Sequence, residues 1–211
     1  YNCFNFISAS TNLNDRCIIY PNTKFTDDEL VYTPDKNFAL DFFLNARNVS
    51  CLGLQPGSTT VQDEYQAGTI LQHSSSFALS VVTGSQTDKF GIPSTFRLLL
   101  QLSHSADYPP HRVSLTNGQS WPFDGVFVSD DIILKNHWHR INIQWAKDTN
   151  GVLGLGKFDI DGQVSNFLFP SNSLTNRYTT NSNLDKGRRA IFFGNFYQGK
   201  PEEVIKFFHT G

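Results

Sequence analysis

Apolar residues occupy alternate positions in most of the longer hydrophobic segments of this chain. Phe38, Leu40, Phe42 and Leu44 fall on alternate positions, and so do Phe96, Leu98, Leu100 and Leu102 within 95–103. A period of two puts such residues on one face of a β-strand. Read this way, the chain predicts ten short strands, at 38–44, 69–72, 77–82, 95–103, 126–134, 140–145, 153–160, 164–169, 190–193 and 204–208. In the central strand Ile141, Ile143 and Trp145 form the core face, and His139 lies on it. Trp138, Arg140, Asn142 and Gln144 form the other. His139 is therefore expected to be buried and hydrogen-bonded. Phe38, Leu40, Phe42, Leu98, Leu100, Ile141, Ile143, Trp145, Phe158 and Ile160 are the expected core.

Gly, Pro, Asn, Ser and Asp cluster between these segments, as in a sandwich or barrel. Helical periodicity is confined to 26–30, where Thr26 and Glu29 form a capping-box pattern good for one turn. Two stretches, 104–125 and 171–187, read as long loops, which are often functional. With no internal repeat and no linker, the 211 residues are expected to form one all-β domain spanning 1–211. The absence of Met suggests a mature product or a domain excised from a longer protein.

The net charge of −2 comes from scattered residues, the densest basic group being Lys186, Arg188 and Arg189. That is no basic stripe, and it argues against nucleic acid as a partner. No apolar run is long enough for a membrane-spanning helix. Cys3, Cys17 and Cys51 lie in the first quarter without metal-ligand spacing. With the glycosylation acceptor Asn48-Val49-Ser50 they favour an oxidising compartment, the extracellular space or secretory lumen. Cys17 would then pair with Cys3 or Cys51. Three buried thiols in a reducing compartment are the alternative.

Candidate chemistry is sparse. His137 and His139 are spaced so that both could face one metal, but no third ligand is near. Asp159 and Asp161 share parity, yet Asp161 precedes Gly162 and is expected to shape a turn. Gly151, Gly154 and Gly156 open a strand and not a helix, so they make no phosphate loop.

Trp138-His139 at the head of one strand, followed by a second strand closing on Ile160-Asp161-Gly162, resembles the central hairpin of laminin-G-like domains. The order of the strands at 37–44, 67–71, 77–82, 96–102 and 191–194 extends the resemblance over most of the chain. It implies a concanavalin A-like jelly roll, two antiparallel sheets packed as a sandwich. Such domains are mostly non-catalytic recognition modules, so the expected partner is a protein or a glycan, bound by rim loops. The loop 104–125 is the candidate rim, with Asp107, Tyr108, His111, Trp121 and Asp124 as binding residues. Trp121 and Phe123 could equally tuck under the loop as a small apolar cluster. Calcium often sits at this rim in the family. Asp124, Asp130 and Asp131 would offer hard oxygen ligands, or simply form a solvated acidic edge. The glucanases of this fold carry a Glu-x-Asp-x-x-Glu strand, which is absent here. A polysaccharide-active enzyme with a divergent site is the alternative, and a structural or self-assembly domain is another.

Overall fold

The computed structural model describes residues 18–21, 37–46, 67–73, 76–89, 94–107, 110, 125–147, 153–170 and 190–194. These form eleven strands: β1 (Ile18–Pro21), β2 (Phe38–Asn45), β3 (Ala67–His73), β4 (Phe77–Thr83), β5 (Thr95–Leu102), β6 (Val126–Val128), β7 (Ile133–Leu134), β8 (Trp138–Lys147), β9 (Leu153–Ile160), β10 (Gln163–Pro170) and β11 (Ala190–Phe193). All pairings are antiparallel. One sheet runs β1-β11-β3-β4-β5-β6, with β7 also paired to β5; the other runs β10-β9-β8-β2. A 3₁₀ segment, Ser103–Asp107, follows β5, and among the described residues no helix is long and apolar enough to cross a membrane.

The two sheets pack as a sandwich because their strands alternate. Leu79, Val81, Leu98, Leu100 and Leu102 of the larger sheet meet Ile141, Ile143, Trp145, Phe158 and Ile160 of the smaller in one buried cluster. Aromatic rings cross the gap: Phe77 lies 4.9 Å from Phe38 and 5.8 Å from Trp145, and Phe127 stacks on Phe167 at 4.2 Å. Every residue expected in the core is in this cluster or packed against it, with Phe38, Leu40 and Phe42 only half-buried on the edge strand β2.

Three local features depart from the alternation pattern. The segment expected as one strand at 126–134 is two, because three steps along β5 (Leu99 to Phe96) face five along its partner (Val128 to Ile133). Between them the Ser129 hydroxyl accepts the Leu98 N–H, a side chain replacing a ladder carbonyl. Ile18–Pro21 is a strand too short to show alternation, and its proline sits on a sheet edge where a missing donor is tolerated. In β9, Gly154 and Gly156 lie opposite Phe169 and Phe167, and a Cβ at either glycine would overlap the facing ring. These glycines make room for aromatic rings laid across the strand. The expected elements at 26–30 and 204–208 and the loop 171–187 lie outside the described residues, as do Cys3, Cys17, Cys51 and Asn48.

The larger sheet is buried on its second face as well: Gln72, Ala78, Ser80, Val82, Leu99 and Gln101 are all fully buried. Gln72, Ala78 and Gln101 form one cross-strand row. The two glutamines donate to the Ala106 and Ser105 carbonyls, tying the 3₁₀ segment over the small Ala78. The outer face of the four-stranded sheet, by contrast, is largely open.

Candidate functional site

Outward-facing residues of β2, β8, β9 and β10 line up in rows across the open face. One row is Asp41, Asn142, Asp159 and Val164; the next is Ala39, Gln144, Lys157 and Asn166. Above them Phe43 faces Arg140, and Asn45 faces Trp138. Phe43 is 67% exposed and Trp138 57%, so two large aromatic side chains stand in solvent at one corner. Leu155 and Leu168 are exposed at the opposite corner.

The polar side chains between these corners hold one another. Arg140 grips Asp41 with two donors, Nη2 at 2.7 Å and Nε at 3.3 Å. Asn142 Nδ2 donates to the same carboxylate at 3.2 Å, and Gln144 Nε2 donates to Asn142 Oδ1 at 2.8 Å. The Arg140 hydrogen bond holds the Asp41 carboxyl below its ordinary range, and Asp41 in turn raises Arg140. Lys157 Nζ lies 4.0 Å from Asp159 Oδ2. Near Leu155 the face dips into a depression of about 440 Å³, lined by Ala39, Gln144, Ala146, Gly156, Lys157 and Asn166 among others.

Behind the aromatic corner, His139 is buried as expected. Its Nε2 accepts the Leu134 N–H at 2.9 Å, so the other nitrogen, Nδ1, carries the proton and donates to Asp161 Oδ2 at 2.6 Å. Asp161 also accepts the Arg140 N–H at 2.8 Å. That backbone bond is the largest influence on Asp161 and lowers its pKa; burial opposes it, and the His139 contact adds to the lowering. Asp161 and Gly162 have φ of 52° and 86°, the left-handed pair that a two-residue type I′ hairpin between β9 and β10 requires. Asp161 thus shapes the turn, as expected, and also anchors β8. An Asp–His pair is part of a catalytic triad, but here the backbone N–H of Leu134 already occupies the Nε2 that would serve a nucleophile.

The candidate metal pair is not assembled. His137 precedes β8 and is exposed, with Nδ1 2.9 Å from the Lys135 carbonyl, while both His139 nitrogens are committed. Among the described residues no group of three His, Cys, Asp or Glu side chains could hold a metal ion. Of the candidate calcium ligands, Asp130 is exposed, and Asp131 Oδ2 accepts the Ser85 N–H at 2.6 Å and its hydroxyl at 2.7 Å. Partial burial raises the Asp131 pKa, but the Thr95 and Ser85 hydroxyls and the Ser85 amide outweigh it and hold it low. Asp131 thereby staples the β4 end to the β6–β7 break. Asp124, Tyr108, His111 and Trp121 lie outside the described residues, and Asp107 is placed only as the last residue of the 3₁₀ segment.

The open sheet face is a candidate that the sequence pattern did not single out. A signal was present: Phe43 and Trp138 are aromatic residues on the polar parity of their strands. No known protein family matches this sequence. No curated protein is similar to it.

Proposed function

We propose that the chain is a non-catalytic recognition module on a laminin-G-like jelly roll, exported as part of a larger protein and binding a protein or glycan partner. The observation that carries this is the open face of the four-stranded sheet. Large aromatic side chains left in solvent beside an ordered polar network are the composition of a binding surface, since Trp and Arg dominate the energetics of interfaces. The laminin-G-like part draws support from the Trp138-His139 and Asp161-Gly162 motifs, which meet in space through the His139–Asp161 bond. The rim loop, with Asp107, Tyr108, His111, Trp121 and Asp124, is a second contributing surface. Clustered cysteines and Asn48-Val49-Ser50 support export.

The test is a binding survey of the intact chain against extracellular-matrix proteins and oligosaccharides, with Phe43→Ala/Trp138→Ala and Tyr108→Ala/Trp121→Ala as paired variants. Saturable binding that one of the two variants weakens at least tenfold, without loss of folding, supports recognition. Binding that neither variant alters removes both surfaces.

One observation favours an enzyme as the second reading. Asp41 and Asp159 flank Asn142 in one row, two strand spacings or roughly 9–10 Å apart. That is near the separation used by inverting glycosidases. Such an enzyme needs one carboxyl kept protonated near neutral pH. Asp41 is shifted the other way, and Asp159 Oδ1 is engaged by the Gly162 N–H at 3.0 Å. Release of reducing sugar from a β-glucan that survives repurification and vanishes in Asp159→Asn would replace recognition with catalysis.

A further inference from the structure

If the chain is a recognition module, the reading on which this inference rests, the composition of its open face selects among partners. Asp41, Arg140, Asn142 and Gln144 are all planar, and each is fixed by its neighbour through hydrogen bonds along the row. Fixed side chains lose little further freedom when a ligand arrives. Arg140 and Asp41 are exposed on the sheet face, and a guanidinium beside a carboxylate offers the donors and acceptors that sugar hydroxyls can bond. Trp138 and Phe43 provide apolar planes at the end of this row. A sugar ring has the matching chemistry, with C–H groups on its faces and hydroxyls around its rim.

Charge narrows the class. Arg140 is neutralised by Asp41, and Lys157 lies beside Asp159. Among the described residues, two cations against two anions give the face no positive field of the kind a sulfated or carboxylated polymer would need. Length narrows it further. From Trp138 to Ala146 the face extends eight residues, roughly 27 Å at about 3.4 Å per residue, ending near the 440 Å³ depression. We propose that this face binds a neutral oligosaccharide, one ring stacked on Trp138 and Phe43 and the following units bonded along Asp41, Arg140, Asn142 and Gln144 toward the depression.

The experiment is a binding assay of the full chain on immobilised neutral hexose and N-acetylhexosamine oligosaccharides, with heparin-derived oligosaccharides alongside. The expected result is binding to a neutral chain that survives raised salt. It should fall about tenfold or more in Trp138→Ala and in Asn142→Ala, while thermal unfolding of both exposed-face variants stays close to the parent. Binding only to the sulfated chains, declining with salt, overturns the neutral class while leaving recognition intact. So does a purified protein ligand whose affinity depends on Trp138. Neutral-glycan binding unchanged in both face variants but lost in Trp121→Ala moves the site to the rim loop and overturns this assignment alone. Binding to no glycan and no protein, or turnover of the glycan, overturns the recognition reading as well.

Discussion

His139 illustrates how much one buried side chain can organise. Its ring joins Leu134 ahead of β8 to Asp161 at the β9–β10 turn, and removing it orphans the Leu134 N–H and an Asp161 bond together. We expect His139→Ala to lose about 1–3 kcal/mol in urea unfolding, beyond what its lost packing explains. Asp161→Asn should be milder than Asp161→Ala, because Asn tolerates the left-handed φ and still accepts the Arg140 N–H. A double-mutant cycle between 139 and 161 should be non-additive. Acid sensitivity belongs to this scale too. Asp41, Asp131 and Asp161 all have folded pKa values lowered below the ordinary carboxylate value. Their contribution is therefore complete above the unfolded pKa of about 4 and is lost as pH falls through the lower folded values. The urea midpoint should be flat from neutrality to about pH 5 and drop below about pH 4.

At the scale of elements, the β9–β10 hairpin makes two demands that glycine meets at least cost. Gly162 has φ of 86° with open space around it, so Gly162→Ala strains the backbone alone, by about 1–2 kcal/mol. Gly156→Val would instead drive Phe167 from its stack on Phe127, and about 1–3 kcal/mol is the usual cost of such overpacking. Thermal unfolding of the two variants checks both. The sequence shows the Asp161-Gly162 turn plainly, because turn chemistry is local. It does not show why 154 and 156 are glycine, since the reason lies on the neighbouring strand. Periodicity likewise located β2, β5 and β8, whose apolar faces are long enough to repeat. It merged β6 with β7, because the interruption at Ser129 is made by a hydrogen bond to Leu98 that no pattern encodes.

For the whole molecule, the sandwich leaves its two outer faces unlike. One is buried beneath further chain at Gln72, Ala78 and Gln101, and the other is open. Parity alone could name Trp138, Arg140, Asn142 and Gln144 as companions. It could not join them to Asp41 and Phe43, because that needs the β2–β8 register. Trp145 sits between the sheets, against Phe38 at 4.6 Å and Phe77 at 5.8 Å. Trp145→Ala should cost about 3–5 kcal/mol, measured by denaturant unfolding, whereas Trp138→Ala on the open side should be nearly neutral for stability.

The β2–β8 ladder also sets a timetable. Asp41 and Arg140 are 99 residues apart in sequence, yet they bond diagonally across adjacent strands. During synthesis at about 5–20 residues per second, β2 waits roughly 5–20 seconds for its partner strand to be made. Meanwhile Phe-Ala-Leu-Asp-Phe-Phe-Leu is an apolar, strand-forming segment with one charge, the composition that self-associates. In the nascent chain Asp41 alone interrupts that run, and in the finished protein the same carboxylate receives Arg140. Replacing it with an uncharged residue should thus reduce the yield of folded protein more than the stability of the molecules that do fold.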